Sequence, residues 1–246
     1  MDWVCSRFTF RGHPFHVVNF DVVDDSAFDG ATYTEGICSH SRCSRKSHPP
    51  VELVDGLPES VSESLGSVLW FDAAIRFLNW AAKYRCSYKG LRILGLGEGT
   101  GVTSLALAAD GAAEVFVSDL PELLPLLEVN CSSEVNPRLK GRAKALALDW
   151  VDEDSFPAEL EGSIDVIVCC EILYGNRFVW PGLVRVLERA LAPEGEAIFA
   201  ITLRNARHDV DDFCALARAG GRLCIAKEEY LSPEVVVVRI KLGSGH

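Results

Sequence analysis

The sequence predicts an open, doubly wound α/β domain: a seven-stranded, mostly parallel sheet with helices on both faces. Three observations carry this. From about residue 91 onward, short Val-, Ile- and Leu-rich runs alternate with stretches of helical periodicity. The runs are apolar at consecutive positions, as in the Val-Ile-Val-Cys-Cys of 166–170, which suits strands covered on both faces. Glycine and proline punctuate the joints between strand-like and helix-like stretches, as a βαβ chain requires.

Taken in order, the first 23 residues alternate like two paired strands. Phe8 and Phe10 lie on one, Phe15, Val17, Val18 and Phe20 on the other, with Arg-Gly-His-Pro as the turn. From about 24 to 64 the chain turns polar, rich in Ser, Asp, Gly and Pro, with Arg42, Arg45 and Lys46 close together. It shows no sustained periodicity and reads as a long solvated insert. A domain boundary is placed at 65/66. Apolar positions at spacings of three and four then predict an amphipathic helix over 69–80. Strands are expected at 91–96, 114–118, 143–148, 165–170, 196–203, 223–226 and 235–240. Helices are expected at 102–109, 121–131, 178–191 and 209–219.

The composition narrows the class. The chain has 246 residues, 48% hydrophobic and 24% charged, with a net charge of -11. These proportions are globular averages. No apolar run reaches the 18 or so residues of a membrane span. The acidic balance disfavours phosphate-backbone binding and favours a basic partner. Nine cysteines at irregular spacing, several inside apolar runs, read as reduced thiols of a reducing compartment. Cys38, His40, Cys43 and His48 are the one cluster with metal-ligand spacing, and no second ligand pair accompanies them, so no metal is assigned. With no secretory signal in view, the expected compartment is the cytoplasm, with the nucleus as an alternative.

Doubly wound sheets bind ligands at the carboxyl ends of their strands. The first of these ends is Gly95-Leu96-Gly97-Glu98-Gly99-Thr100-Gly101, a turn whose glycines allow close backbone approach to a ligand. A dinucleotide fingerprint would need glycine at 100 or 102, where the chain has Thr100 and Val102. The second strand ends at Asp119-Leu120, 18 residues past Gly101, where a carboxylate can accept from a ribose diol or serve as a helix N-cap. The third ends at Asp149-Trp150, an acceptor and an indole face for a purine; Trp150 reads equally well as a core residue. The fourth ends at Cys170-Glu171-Ile172-Leu173-Tyr174, a carboxylate and a phenol in the cleft region.

With these motifs in place the chain resembles the Rossmann-like, seven-strand S-adenosylmethionine-dependent methyltransferases. Within them it is most similar to the protein-lysine methyltransferases of methyltransferase family 16. Matching segments are the hairpin around Phe8-Thr-Phe10-Arg-Gly-His-Pro, Val68-Leu69-Trp70-Phe71-Asp72-Ala-Ala, the glycine loop, Ser118-Asp119-Leu120-Pro121, Leu148-Asp149-Trp150 and Glu171…Tyr174. The resemblance implies S-adenosyl-L-methionine as cofactor, held by Trp70, Gly95, Gly97, Glu98, Gly99, Thr100, Gly101, Asp119, Leu120, Asp149, Trp150 and Cys170. It implies Glu171 and Tyr174 as the residues that position a substrate amine, and a monomer acting on a protein substrate with a basic, lysine-containing segment.

Two departures stand out. The family's loop begins with an acidic residue, which helps hold the charged methionine end of the cofactor; this chain has Gly95 there and Glu98 at a position that is usually small. Glu98 substitutes for that acid, or affinity is weakened, or cofactor is no longer bound. The second departure is the long insert before Trp70. Alternative functions are a small-molecule or other-residue methyltransferase, and a catalytically silent scaffold on the same fold.

Overall fold

The computed structural model describes residues 2–21, 41–47, 57–58, 60–61, 71–203 and 207–243. Strands β1 (Asp2–Phe10) and β2 (His13–Asp21) form an antiparallel hairpin with Phe8 opposite Phe15. Its two-residue turn, Arg11-Gly12, has φ of 49° and 82°, the paired positive values that match the twist of tight hairpins. A third strand, β3 (Ser41–Ser47), adds to the free edge of β1. The sequence reads this stretch as part of a long solvated insert over 24–64 and gives no sign of the strand. Ser-Arg-Cys-Ser-Arg-Lys-Ser carries no apolar alternation, so its backbone pairing leaves no periodic trace in the sequence. The remainder of the insert, Trp70, and the candidate metal residues Cys38, His40 and His48 lie outside the described residues; Cys43 falls in β3.

The main unit follows as α1 (Phe71–Tyr84), β4 (Arg92–Leu96), α2 (Val102–Ala109), β5 (Glu114–Asp119), α3 (Leu124–Cys131), β6 (Ala143–Ala147) and β7 (Ile164–Cys170). It ends with α4 (Trp180–Ala190), β8 (Leu191–Thr202), α5 (Arg207–Ala219), β9 (Leu223–Ser232) and β10 (Val235–Leu242). The sheet has seven strands in the order β6-β5-β4-β7-β8-β10-β9, with β10 antiparallel to both neighbours.

Boundaries differ from expectation where a local rule changes. The helix expected from 121 opens with a 3-10 turn, Pro121–Leu123, before α3 begins. The helix expected over 178–191 likewise starts as a 3-10 turn at Arg177–Val179, and Leu191 already pairs with Ile164 as the first residue of β8. The short strand expected at 223–226 continues to Ser232, because its polar Lys-Glu-Glu stretch still pairs with β10 while facing solvent at the sheet's edge.

Period-two alternation divides the core between the two faces. Ile93, Val115, Val117, Val166 and Val168 join α1, α2 and the hairpin's Phe8, Phe10 and Phe15 in one cluster. Leu94, Leu96, Phe116, Ile167 and Cys169 join α4 and α5 through Trp180, Leu183, Leu187 and Phe213 in the other. The hairpin is also tied by polar groups. Arg11 donates to the Ala82, Arg85 and Cys86 carbonyls at the end of α1 and pairs with Asp110 at 3.0 Å. The exposed backbone edge of β2 is met by two side-chain amides: Asn130 takes the Val18 N–H at 2.6 Å and Asn136 the His16 N–H at 2.7 Å.

Candidate active site

Strand order reverses at β4: the chain moves outward through β5 and β6, then returns to place β7 on the other side of β4. The glycine loop and the Glu171 segment therefore flank the one point where neighbouring βα loops diverge and leave a crevice. Gly97, Gly99 and Gly101 have φ of 62°, 56° and 80°. Alternate left-handed residues curl the loop back on itself, so that the Glu98 amide donates to the Ser118 carbonyl and the Gly101 amide to the Glu98 carbonyl, a path that side chains would strain.

Asp119 holds this loop from the neighbouring strand. Its Oδ2 accepts the Gly99 N–H at 2.7 Å and its Oδ1 the Leu120 N–H at 2.8 Å. The N-cap alternative does not hold, since the following turn is capped at Leu120 with no side-chain bond. Each carboxylate oxygen keeps a further lone pair for a ligand hydroxyl. Burial raises the Asp119 pKa above its ordinary value, against the two amides that lower it, and Glu122 adds repulsion. Leu120 itself is 42% exposed at the lip.

Trp150 takes the core position and also reaches the glycine loop. It packs against the α4–α5 cluster, and its ring would lie 3.3 Å from a Cβ placed on Gly97. The indole thus walls the glycine loop while covering the sheet. Asp149 is steadied by accepting the Val151 N–H, and Ser155 joins its backbone at both N–H and carbonyl.

At the end of β7, Glu171 has φ of 60°, an uncommon conformation for a side-chain-bearing residue and one that concentrates at working sites. Its Oε1 accepts the Thr202 N–H at 2.6 Å, which fixes one carboxylate oxygen to β8. Tyr174 is 65% exposed; partial burial first, and then the Asp119 charge, raise its phenol above the usual pKa. A Cβ placed on Gly97 would stand 2.8 Å from Ile172 Cγ2, so the segment after β7 lies against the glycine loop. Burial raises the Cys170 thiol, with Glu171 and Glu98 adding to the effect, so it is present as a neutral wall.

Glu98 is the unexpected member. Its carboxylate turns away from solvent toward α2, where both oxygens accept from Thr103 Oγ1 at 2.7 Å and Oε2 also accepts the Ser104 N–H at 3.2 Å. A half-buried carboxylate that faces no cation among the described residues, beside a buried Ser104 hydroxyl with no hydrogen bond of good geometry, fits a ligand that brings positive charge. The residues present thus suit a purine nucleoside carrying a cationic side arm. Sequence reasoning missed Thr103, Ser104 and Asn130; the Asn130 amide donates to the Thr100 carbonyl at 3.0 Å and so joins the loop to β2. A polar residue inside an apolar helical run was the available signal for all three. Trp70 lies outside the described residues.

Comparison with known proteins gives this cleft a lineage. An EEF1A lysine methyltransferase 3 of Mus musculus is 29% identical over 160 residues, covering 63% of this chain and 65% of that protein. A protein N-lysine methyltransferase METTL21A of Danio rerio is 27% identical over 149 residues, covering 59% of this chain and 64% of that protein. The chain therefore spans less than two thirds of the length of these curated relatives. Two solved structures share the fold. The PH0226 protein of Pyrococcus horikoshii OT3 has a TM-score of 0.53 at 14% identity, covering 67% of this chain and 86% of its own. A magnesium protoporphyrin IX methyltransferase of Synechocystis PCC 6803, solved with bound SAM, has a TM-score of 0.51 at 18% identity, covering 77% and 86%. Residues 55–218, more than half of the chain and the stretch that builds the glycine loop, the Asp119 and Asp149 strand ends and the Glu171–Tyr174 segment, match the lysine methyltransferase family model, and the chain belongs to that family.

Proposed function

We propose that this protein transfers a methyl group from S-adenosyl-L-methionine to the side-chain amine of lysine in a protein substrate. The observation that carries the reading is the family match over 55–218 falling on one crevice, where the glycine loop, Asp119, Asp149-Trp150 and Glu171…Tyr174 converge. The glycine loop, Thr100, Asp119, Leu120, Asp149, Trp150 and Cys170 hold the cofactor, joined by Trp70. The cofactor, when bound, supplies a methyl group on a positively charged sulfur, already activated for transfer.

The protein's own task is then placement. The lysine amine must be neutral to attack, and at an unperturbed pKa of about 10.4 this costs roughly 4–5 kcal/mol at pH 7. Desolvation of the ammonium as the substrate segment covers Tyr174, next to the cationic sulfonium, lowers that cost. Tyr174 accepts a hydrogen bond from the amine, and Glu171 helps to orient it. Glu171 does not need to carry the proton away, since an ordinary carboxylate near pKa 4.3 is a poor match for it.

The substrate segment is basic, in keeping with the net charge of -11 and with exposed Glu122, Asp152 and Asp154 beside the crevice. No nucleic acid or membrane is involved, and the protein acts as a monomer. Among the described residues no helix is long and apolar enough to cross a membrane. Cysteines outside any disulfide among the described residues, the buried Cys169 among them, fit the reducing cytoplasm. The division at 65/66 is one of tasks, with the hairpin and insert shaping partner recognition.

Thermal unfolding with S-adenosylmethionine, S-adenosylhomocysteine or NAD tests the cofactor. Ligand at about a hundred times its dissociation constant adds roughly 2.7 kcal/mol, a rise of about 5–10 °C for a chain of this size. Methyl-lysine in cell-extract proteins, read by mass spectrometry, tests the substrate. Tyr174→Phe and Glu171→Gln are expected to cut turnover at least about tenfold while cofactor affinity changes by less than about threefold. Full turnover in both variants removes these residues from the mechanism; methylation of free metabolites alone replaces the substrate class.

A further inference from the structure

We infer that Glu98 is the counterion for the α-ammonium group of the cofactor's amino-acid arm, delivered from the glycine loop through space that Gly95 leaves open. This rests on the cofactor assignment above and deepens it. The argument begins with volume. A Cβ built on Gly95 would stand 2.5 Å from Glu98 Cγ, 2.5 Å from Glu98 Oε1 and 2.1 Å from Ser104 Oγ. A side chain at 95 requires both Ser104 and Glu98 to shift, so the three positions share one volume. The carboxylate of the loop occupies the volume that a strand residue's own side chain would fill.

The second strand of the argument is charge. Thr103 and Ser104, both buried at the start of α2, hold the carboxylate by hydroxyl and amide. They stabilise an anion without neutralising it. The groups facing it from the other elements make matters worse or are neutral: Asp119 on β5 repels it, and Cys131 on α3 and Cys169 and Cys170 on β7 are thiols whose burial keeps them protonated. Burial pushes the Glu98 carboxyl up to about 7 despite the Thr103 and Ser104 hydrogen bonds. A group in this state is half-protonated at neutral pH and is completed by a cation that arrives with the ligand. Ligand capture is consequently coupled to the loss of the Glu98 proton, fully so only below about pH 6.

Three ligands separate the possibilities. S-Adenosylmethionine carries the ammonium and a sulfonium, S-adenosylhomocysteine only the ammonium, and methylthioadenosine neither. Calorimetry on the full chain at pH 7.5 is expected to show Glu98→Gln weakening S-adenosylhomocysteine about tenfold to a hundredfold, with methylthioadenosine changed less than about twofold. In the wild type the S-adenosylhomocysteine dissociation constant rises as pH falls from 7.5 to 5.5, approaching about tenfold per unit, as one linked proton demands; in Glu98→Gln it stays flat. Gly95→Ala, which leaves Glu98 in the chain but takes its space, reproduces the selective loss. Gly95→Asp combined with Glu98→Ala restores part of the affinity from the strand side. Equal losses for both neutral-sulfur ligands, unchanged S-adenosylhomocysteine binding in Glu98→Gln, or an acid slope that survives in that variant would overturn the assignment. A loss confined to S-adenosylmethionine moves the counterion role to the sulfonium. Wild-type protein that binds none of the three sinks the cofactor reading itself, and this one with it.

Discussion

Glu196 and Glu98 are carboxylates at opposite ends of the central sheet, one buried within β8 and one half-buried in the loop that follows β4, and they differ in what balances their charge. Glu196, 2% exposed toward the amino end of β8, receives Arg85 at 2.7 Å, Arg239 at 2.8 Å and the Tyr84 hydroxyl at 3.1 Å. Burial alone would raise its pKa; the hydrogen bonds and charges of Arg85 and Arg239 outweigh that and leave it below the ordinary value. Glu98, at the carboxyl end, has hydroxyl and amide donors only, and its pKa is pushed up to about 7 by burial. The same pattern extends around both: Asp110 with Arg11 and Glu114 with Arg92 and Lys144 sit at the amino end, while Asp119 at the carboxyl end accepts backbone amides. A carboxylate that serves the fold brings its cations with it; one that serves a ligand is left for the ligand to complete.

The largest expected effect breaks the satisfied member. Glu196→Leu strands Arg85 and Arg239 against the sheet, and urea unfolding at pH 7.5 should lose about 3 kcal/mol, at the low end for a broken buried pair because Arg85 keeps some solvent. Because the folded pKa of Glu196 is depressed, its contribution is present above the unfolded value and disappears as pH falls through the folded one. A loss below about 1 kcal/mol would mean that pairing is not what keeps this carboxylate buried.

The next effect has the opposite sign. A raised folded pKa makes Glu98 stabilising when protonated, with that contribution lost as pH rises through about 7. Ligand-free Glu98→Gln should therefore be more stable than the wild type at pH 8, by up to about 3 kcal/mol, and equal to it near pH 5. A variant that is less stable at pH 8 would show that the Thr103 and Ser104 bonds already satisfy the anion. The smallest effect sharpens the role of burial: Lys144→Ala breaks a 2.5 Å pair with Glu114, yet Lys144 is 52% exposed. Its loss should stay below about 0.5 kcal/mol and shrink in high salt.

Much of this was legible from residue order, for identifiable reasons. Val-Ile-Val-Cys-Cys reads as a two-faced strand, and Gly97, Gly99 and Gly101 read as a tight loop, because backbone sterics and side-chain period act locally. The strand-end acids Asp119, Asp149 and Glu171 follow from the rule that such sheets work at their carboxyl edge. The pairing of β3 was not legible, since a polar strand that adds to an edge uses backbone bonds with no hydrophobic signature. Nor were the partners of Asn130 and Asn136, since Val18 and His16 respectively are more than 110 residues away in the chain.

What the sequence by itself determined is the order of elements, the two-faced burial of the sheet and the chemistry collected at its edge, all of which follow from propensity, period and spacing. Gly95 and Glu98 mark the limit of such reading. In one dimension they are a missing acid and an acid out of place. Only the tertiary structure decides that they are one feature, because a carboxylate's pKa and partners are set by the volume and charges around it, and the glycine's empty volume is where this carboxylate lies.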